Sequence, residues 1–195
     1  MAIIYQASLV PSKAEVVAAW LPTRPWFDGP VDAAVPVAAY RFDDPAGEVG
    51  TESLLLDVHG RLVHVPLTYR PAALPGAEQW LLGTLEHSVL GTRWVYDALG
   101  DPVYRAELTR VVQEGDTQVR LLVETPDGPA EREPSIHVRG SGTDGPVATR
   151  PDGPRGPEDL AVVRFPTPAL EVPSTGALVG TLVGQDDEML LAYLV

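Results

Sequence analysis

Gly83-Thr84-Leu85-Glu86-His87-Ser88-Val89-Leu90-Gly91-Thr92-Arg93-Trp94-Val95-Tyr96-Asp97-Ala98-Leu99-Gly100-Asp101-Pro102-Val103-Tyr104 is the stretch on which the fold turns. The bulky residues from Arg93 to Tyr96 read as a strand, and Glu78 to Leu85 as another before it. Asp101-Pro102 then opens a helix: aspartate suits the N-cap, and proline suits the first helical position, where its missing N–H costs nothing. Val103, Leu108, Val111 and Val112 give that helix an apolar stripe, and Gly115 ends it.

Upstream the pattern is mostly strands. Val35, Val37 and Tyr40 to Phe42 suggest one; Thr51 to Val58 and Arg61 to Tyr69 suggest a pair. His59-Gly60 joins that pair, with Gly60 supplying the positive φ of a tight hairpin turn. Short connections between consecutive strands favour an antiparallel sheet. Residues 2–10 read as one further strand. A first helix follows Pro11, opened by a capping box of Ser12 and Glu15. Val16, Val17, Trp20 and Leu21 form its apolar face, and Pro22 and Pro25 stop it.

Downstream, Gln118 to Glu124 and Ile136 to Val138 look like strands. Residues 140–158 are glycine- and proline-rich with little apolar bulk, a loop or linker pattern. Strand character resumes at Leu160–Phe165, Ala177–Val183 and Glu188–Leu194, with a turn at 184–187. The expected class is α+β: an antiparallel sheet, two main helices, and C-terminal strands after a Gly/Pro-rich linker. The division expected is an α+β region over 1–114 and a β-rich extension over 115–195, folded back onto the first sheet.

Composition narrows the chemistry. The 195 residues are 45 % apolar, too apolar for intrinsic disorder and enough to bury a core. Acidic residues number 27 against 14 basic, a net charge of −13, so the basic face expected of a nucleic-acid binder is missing. Lys13 is the only lysine, and the absence of cysteine excludes disulfides, thiolate catalysis and thiolate zinc sites. No segment approaches the roughly 20 apolar residues of a membrane-spanning helix, and the start lacks a secretory pattern, so a cytoplasmic protein is expected.

Catalytic motifs are not evident. Lys13 has no Walker context, and Gly140-Ser141-Gly142 precedes no helix. The four histidines, His59, His64, His87 and His137, form no one-turn metal pair. His59 and His64 could approach across their hairpin, but further ligands are not apparent. Glu86-His87-Ser88 alternates across a strand, which argues against a triad. No cofactor and no metal are expected.

Three segments carry a family resemblance: Trp20-Leu21-Pro22-Thr23-Arg24-Pro25-Trp26-Phe27, Val65-Pro66-Leu67-Thr68-Tyr69-Arg70, and Gly83-Thr84 with Trp94-Val95-Tyr96-Asp97 ahead of Asp101-Pro102. In this order, over about residues 1–114, the chain resembles the N-terminal cap of actinobacterial maltokinases and related aminosugar kinases. The resemblance implies a curved, cap-like antiparallel sheet flanked by helices. Neither a His-Gly-Asp-like catalytic loop nor an Asp-Phe-Glu-like metal motif accompanies it. Where a phosphate-pairing lysine would be expected stands Arg164, and Gly29-Pro30 departs from the basic residue common in the kinases.

The resemblance therefore implies a non-catalytic accessory or regulatory protein. The implied partner is a maltokinase-like or glucan-processing enzyme of glycogen, maltose or trehalose metabolism. Arg24, Trp26, Arg93, Trp94 and Tyr96 are the candidate contact residues, since Arg, Trp and Tyr dominate binding hot spots. The alternative is a carbohydrate-binding module taking an α-glucan or maltose-like ligand. The sequence leaves homo-oligomerisation open.

Overall fold

The computed structural model describes residues 2–4, 7–31, 34–125, 128–142, 157–168 and 175–195. Most of the expected 140–158 linker, residues 143–156, lies outside them.

The first helix, α1 (Lys13–Trp20), begins where the capping box requires. Ser12 Oγ accepts from the Glu15 N–H at 3.3 Å, and Glu15 Oε2 accepts from the Ser12 N–H at 2.8 Å. Proline at position 22 ends it in a 3-10 turn over Leu21–Thr23. The second helix, α2 (Pro102–Glu114), is capped by Asp101, whose carboxylate accepts from the Val103 N–H at 3.0 Å. Gly115, at φ +69°, closes it in the left-handed conformation that glycine adopts without a Cβ clash.

Six strands form a curled antiparallel sheet. They are β2 (Leu9–Val10), β3 (Val35–Tyr40), β4 (Gly50–Val58), β5 (Arg61–Arg70), β6 (Leu81–His87) and β7 (Gly91–Asp97), in the order β2-β6-β7-β5-β4-β3. β4 and β5 pair from Gly50↔Tyr69 to Val58↔Arg61 across a two-residue turn. Both turn residues have positive φ, His59 at 54° and Gly60 at 77°. The turn keeps His59 at the hairpin tip while His64 is buried in the sheet opposite Leu55, so the two histidines form no pair.

The period-2 alternation of the strands divides the apolar residues into two cores. On one face Leu54, Leu56, Val63, Val65, Leu85 and Val95 pack against Val16, Val17, Trp20 and Leu21 of the first helix and its end. On the other, Tyr40, Phe42 and Leu55 pack with Tyr104, Leu108, Val111 and Val112 of α2. Each fully buried Leu or Val contributes about 1.5–3 kcal/mol, so both helices are held by packing.

The second core also takes in the C-terminal strands. β10 (Ile136–Gly140), β11 (Leu160–Val162), β12 (Ala177–Leu182) and β13 (Glu188–Leu194) make a four-stranded antiparallel sheet, ordered β10-β12-β13-β11. Ile136, Leu178 and Leu191 of this sheet share the α2 core. The third sheet joins β1 (Ala2–Ile4), β8 (Leu121–Thr125) and β9 (Gly128–Arg132), with β1 parallel to β8.

Several boundaries differ from the sequence reading. The expected strand over 2–10 is two strands in two sheets, β1 beside β8 and β2 beside β6. The expected strand start at Glu78 is a 3-10 turn over Glu78–Trp80, and extended backbone begins at Leu81. Trp80 there lies over Gly100, where a Cβ would come within 2.1 Å of the indole Cγ. Gln118 precedes β8: its amide donates to the Ile136 C=O at 2.9 Å and accepts from the Val138 N–H at 2.6 Å, replacing a strand pairing by a side chain. β9, Gly-Pro-Ala-Glu-Arg, has no alternating apolar pattern to announce it.

Candidate functional site

The five candidate contact residues fall into two groups. Arg24 and Trp26 follow α1 in the chain turn after its end, whereas Arg93, Trp94 and Tyr96 lie on β7. Strand alternation sends Arg93 to the α1 face of the sheet and Trp94 and Tyr96 to the α2 face. Tyr96 is buried, and its hydroxyl accepts from the Leu74 N–H at 2.8 Å, holding the chain after β5 in place. Trp94, half-buried, sits beside Arg70 in the β5–β7 register.

Arg24 and Trp26 belong to an aromatic and arginine cluster. Trp26 meets Trp20, Phe27 and Phe165 edge-on, with centroids 5.8, 6.2 and 5.9 Å away. Three guanidinium groups lie over its rings: Arg24 on Trp20 at 5.0 Å, Arg164 on Trp26 at 4.8 Å and Arg61 on Phe165 at 3.3 Å. Such cation–π contacts are worth about 0.5–2 kcal/mol each. Two buried donors in the cluster, Trp20 Nε1 and Arg164 Nη1, have no hydrogen-bond partner among the described residues.

Arg164 ties this cluster to a buried polar chain. Its Nη2 donates to Asp97 Oδ2 at 2.5 Å. Burial pushes the Asp97 carboxyl up, and the Arg164 charge only partly offsets that. One residue earlier, the Val163 carbonyl lies 3.1 Å from His64 Nδ1, while His64 Nε2 lies 2.9 Å from the Tyr40 hydroxyl. Tyr104 of α2 and Ser53 of β4 continue the chain, their hydroxyls 3.2 Å apart. Burial, with Arg164 adding to it, lowers the His64 pKa to about 3, so the imidazole is neutral.

A second polar cluster sits on the α1 face. The Glu52 carboxylate, 8 % exposed, is held by Lys13 Nζ, by Arg41 Nη2 at 2.8 Å, and by the Tyr69 hydroxyl at 3.1 Å. Burial would raise the Glu52 carboxyl, but Lys13 and Arg41 outweigh it and hold it at about 2. Burial lowers the Lys13 ammonium, and the nearby Arg41 and Arg132 charges act in the same sense against the pull of Glu52. Two open grooves of about 870 and 700 Å³ share Lys13 and Arg41 in their walls. Arg93 borders the smaller, beside His87 and Leu90.

Sequence reading singled out Lys13 by its uniqueness and Arg24 and Trp26 by residue type. It missed Glu52, Arg41, Arg61 and Phe165, which carry no local motif and meet their partners only through contacts distant in sequence. Among the described residues no three His, Asp or Glu side chains gather as a metal-binding group. Nor is any described helix long and apolar enough to cross a membrane.

A curled antiparallel sheet with one helix against each face defines a mixed α+β fold. Residues 20–101, from the end of α1 to the N-cap of α2, match the family described as the maltokinase N-terminal cap domain. The match covers under half of the 195-residue chain. It takes in the 3-10 turn after α1 and the strands β3 to β7, and excludes both helices apart from Trp20. No curated protein matches the chain.

Proposed function

We propose that this chain is a non-catalytic accessory or regulatory protein. In this reading it binds a partner enzyme of glycogen, maltose or trehalose metabolism through its cap-like sheet. The observation that carries the reading is the cap match over residues 20–101 of a 195-residue chain. In this reading the strands of the cap-like sheet supply the contact surface.

The corner where β2 meets the β6–β7 turn suits that contact. Val10, Val89 and Leu90 are exposed there, an unusual concentration of large apolar side chains on a strongly acidic protein. Arg93 flanks the same corner through the groove it shares with Leu90. Arg24 and Trp26 form a second contact area, with an arginine and a half-buried tryptophan of the kind that anchors interfaces.

The test is affinity capture from native lysate with cross-linking, run in parallel with a Val89→Asp/Leu90→Asp variant. Recovery of a sugar- or glucan-processing enzyme by the unaltered chain, and its loss with the variant, supports the reading. Recovery of no such enzyme removes it.

A further inference from the structure

The larger groove gathers positive charge in a chain that is otherwise strongly negative. It runs between β3 and the segments around β8, β9 and β10. Lys13, Arg41, Arg120, Arg132 and Arg139 border it, five of the fourteen lysines and arginines of the whole chain. Only four of the 27 acidic residues do so, Glu52, Glu131, Glu133 and Glu188. The chain as a whole carries a net charge of −13, which repels anions, so this concentration reverses the local field.

The charges are not equivalent. Arg120–Glu131 at 3.4 Å and Arg139–Glu188 at 2.6 Å are largely exposed pairs on the groove rim, where water screens them. Deeper, a single carboxylate, Glu52, serves two cations, Lys13 and Arg41, each about a quarter exposed. That trio carries one positive charge in excess, partly removed from water. Arg132 stands close enough to Lys13 for its charge to be felt there, and it makes no ion pair among the described residues. A multivalent oxyanion placed between them would neutralise the excess and meet at least two donors suited to its geometry.

We propose that this groove is a binding site for a small oxyanion, phosphate or polycarboxylate, held by Lys13, Arg41 and Arg132. Its volume, about 870 Å³, lies in the range of small-molecule sites and leaves room for an organic group attached to the anion.

The unique lysine provides the probe. Protein labelled with ¹³C-lysine gives one side-chain signal, that of Lys13. Inorganic phosphate and citrate are titrated separately at constant ionic strength, with chloride as the balancing salt. A saturable shift of the Lys13 ε-methylene is expected, with phosphate alone or citrate alone telling which oxyanion the site prefers. Arg132→Gln should raise the apparent Kd roughly three- to fivefold, the worth of one exposed charge, while Arg61→Gln, outside the groove, should leave it unchanged. Arg132 is exposed, so its removal leaves the fold intact. A shift that never saturates with either anion, or that saturates equally in Arg132→Gln, overturns the proposal.

Discussion

The Tyr40 hydroxyl and His64 Nε2, 2.9 Å apart, can bond with only one polarity. His64 Nδ1 faces the Val163 carbonyl at 3.1 Å, which has no proton to give, so Nδ1 must carry the hydrogen. Nε2 is then the acceptor and Tyr40 the donor. A second ring proton, on Nε2, would reverse this bond and oblige the Tyr40 hydroxyl to turn its own hydrogen elsewhere. In the donor–acceptor sense described, the bond joins β3, β5 and the segment before Arg164 while the imidazole is neutral.

Acid should weaken the fold through this histidine first. Its pKa falls from 6.5 in the unfolded chain to about 3 in the folded one, so the unfolded chain takes up the proton more readily. The contribution is complete above pH 6.5 and is lost as pH falls toward 3. Each pKa unit is worth about 1.4 kcal/mol, so the total is on the order of 5 kcal/mol. Urea unfolding followed across this range should show a steadily falling midpoint. In His64→Gln the curve should be lower at neutral pH and flatter between pH 6.5 and 4.5; an unchanged slope would refute the assignment.

Glu52 governs the next stretch of the acid limb. Its pKa is lowered from 4.5 to about 2 by Lys13 and Arg41, so its stabilisation is full above pH 4.5 and vanishes as pH falls toward 2. Glu52→Gln keeps the side-chain shape and removes the charge. It should cost about 2 kcal/mol at pH 7, below the usual penalty for breaking a buried pair, because both cations are a quarter exposed and keep some water. The same variant should lose stability less steeply than the parent between pH 4.5 and 2, keeping the slope that His64 supplies down to pH 3. Equilibrium denaturation at pH 7 and pH 3 checks both expectations.

Local signals gave the helix starts and the main hairpin their positions, since caps, prolines and positive-φ turns act within four residues. Ser12 with Glu15, Asp101-Pro102, Gly115 and His59-Gly60 all behave as their chemistry demands. Candidate-site chemistry was less legible because it is assembled by register. Glu52 faces α1 rather than α2 because it lies two residues from Leu54 on β4, and nothing near it in sequence announces Lys13 or Arg41 as partners. The two strands hidden in residues 2–10 likewise separate because each finds a different long-range neighbour. Residue type alone placed Arg93, Trp94 and Tyr96 together, whereas strand alternation sets Arg93 apart from the other two.

Gly140 should tolerate no side chain. It lies where β10 passes the end of α2, and an added Cβ would meet the Val111 carbonyl oxygen at 2.0 Å, a backbone atom that cannot rotate away. The Gly140 N–H also donates to the Asp116 carbonyl at 2.8 Å, fixing the approach. Gly140→Ala should cost about 3 kcal/mol, the upper range for overpacking, by forcing the helix from the sheet. Thermal unfolding should show a clear drop in Tm. An alanine variant as stable as the parent would mean the helix end is looser than this contact allows.

The Asp97–Arg164 pair is expected to specify geometry more than to add stability. Burial pushes the Asp97 carboxyl up even with Arg164 beside it, so at neutral pH its charge is carried at a cost. Among the described residues Arg164 Nη1 has no hydrogen-bond partner, a second cost. Breaking the pair on one side should still be severe: Asp97→Leu leaves a guanidinium 11 % exposed with no carboxylate, for about 3–5 kcal/mol. Replacing both, as Asp97→Leu with Arg164→Met, removes both costs and should recover most of that loss. A double-mutant cycle by urea denaturation measures the difference. If the double variant is as unstable as the sum of the singles, the two charges act independently and the pairing carries none of the coupling assigned to it. If it recovers stability yet shifts the tryptophan fluorescence, Trp26 has lost the cation that Arg164 places over its ring, which is the geometric role expected of the pair.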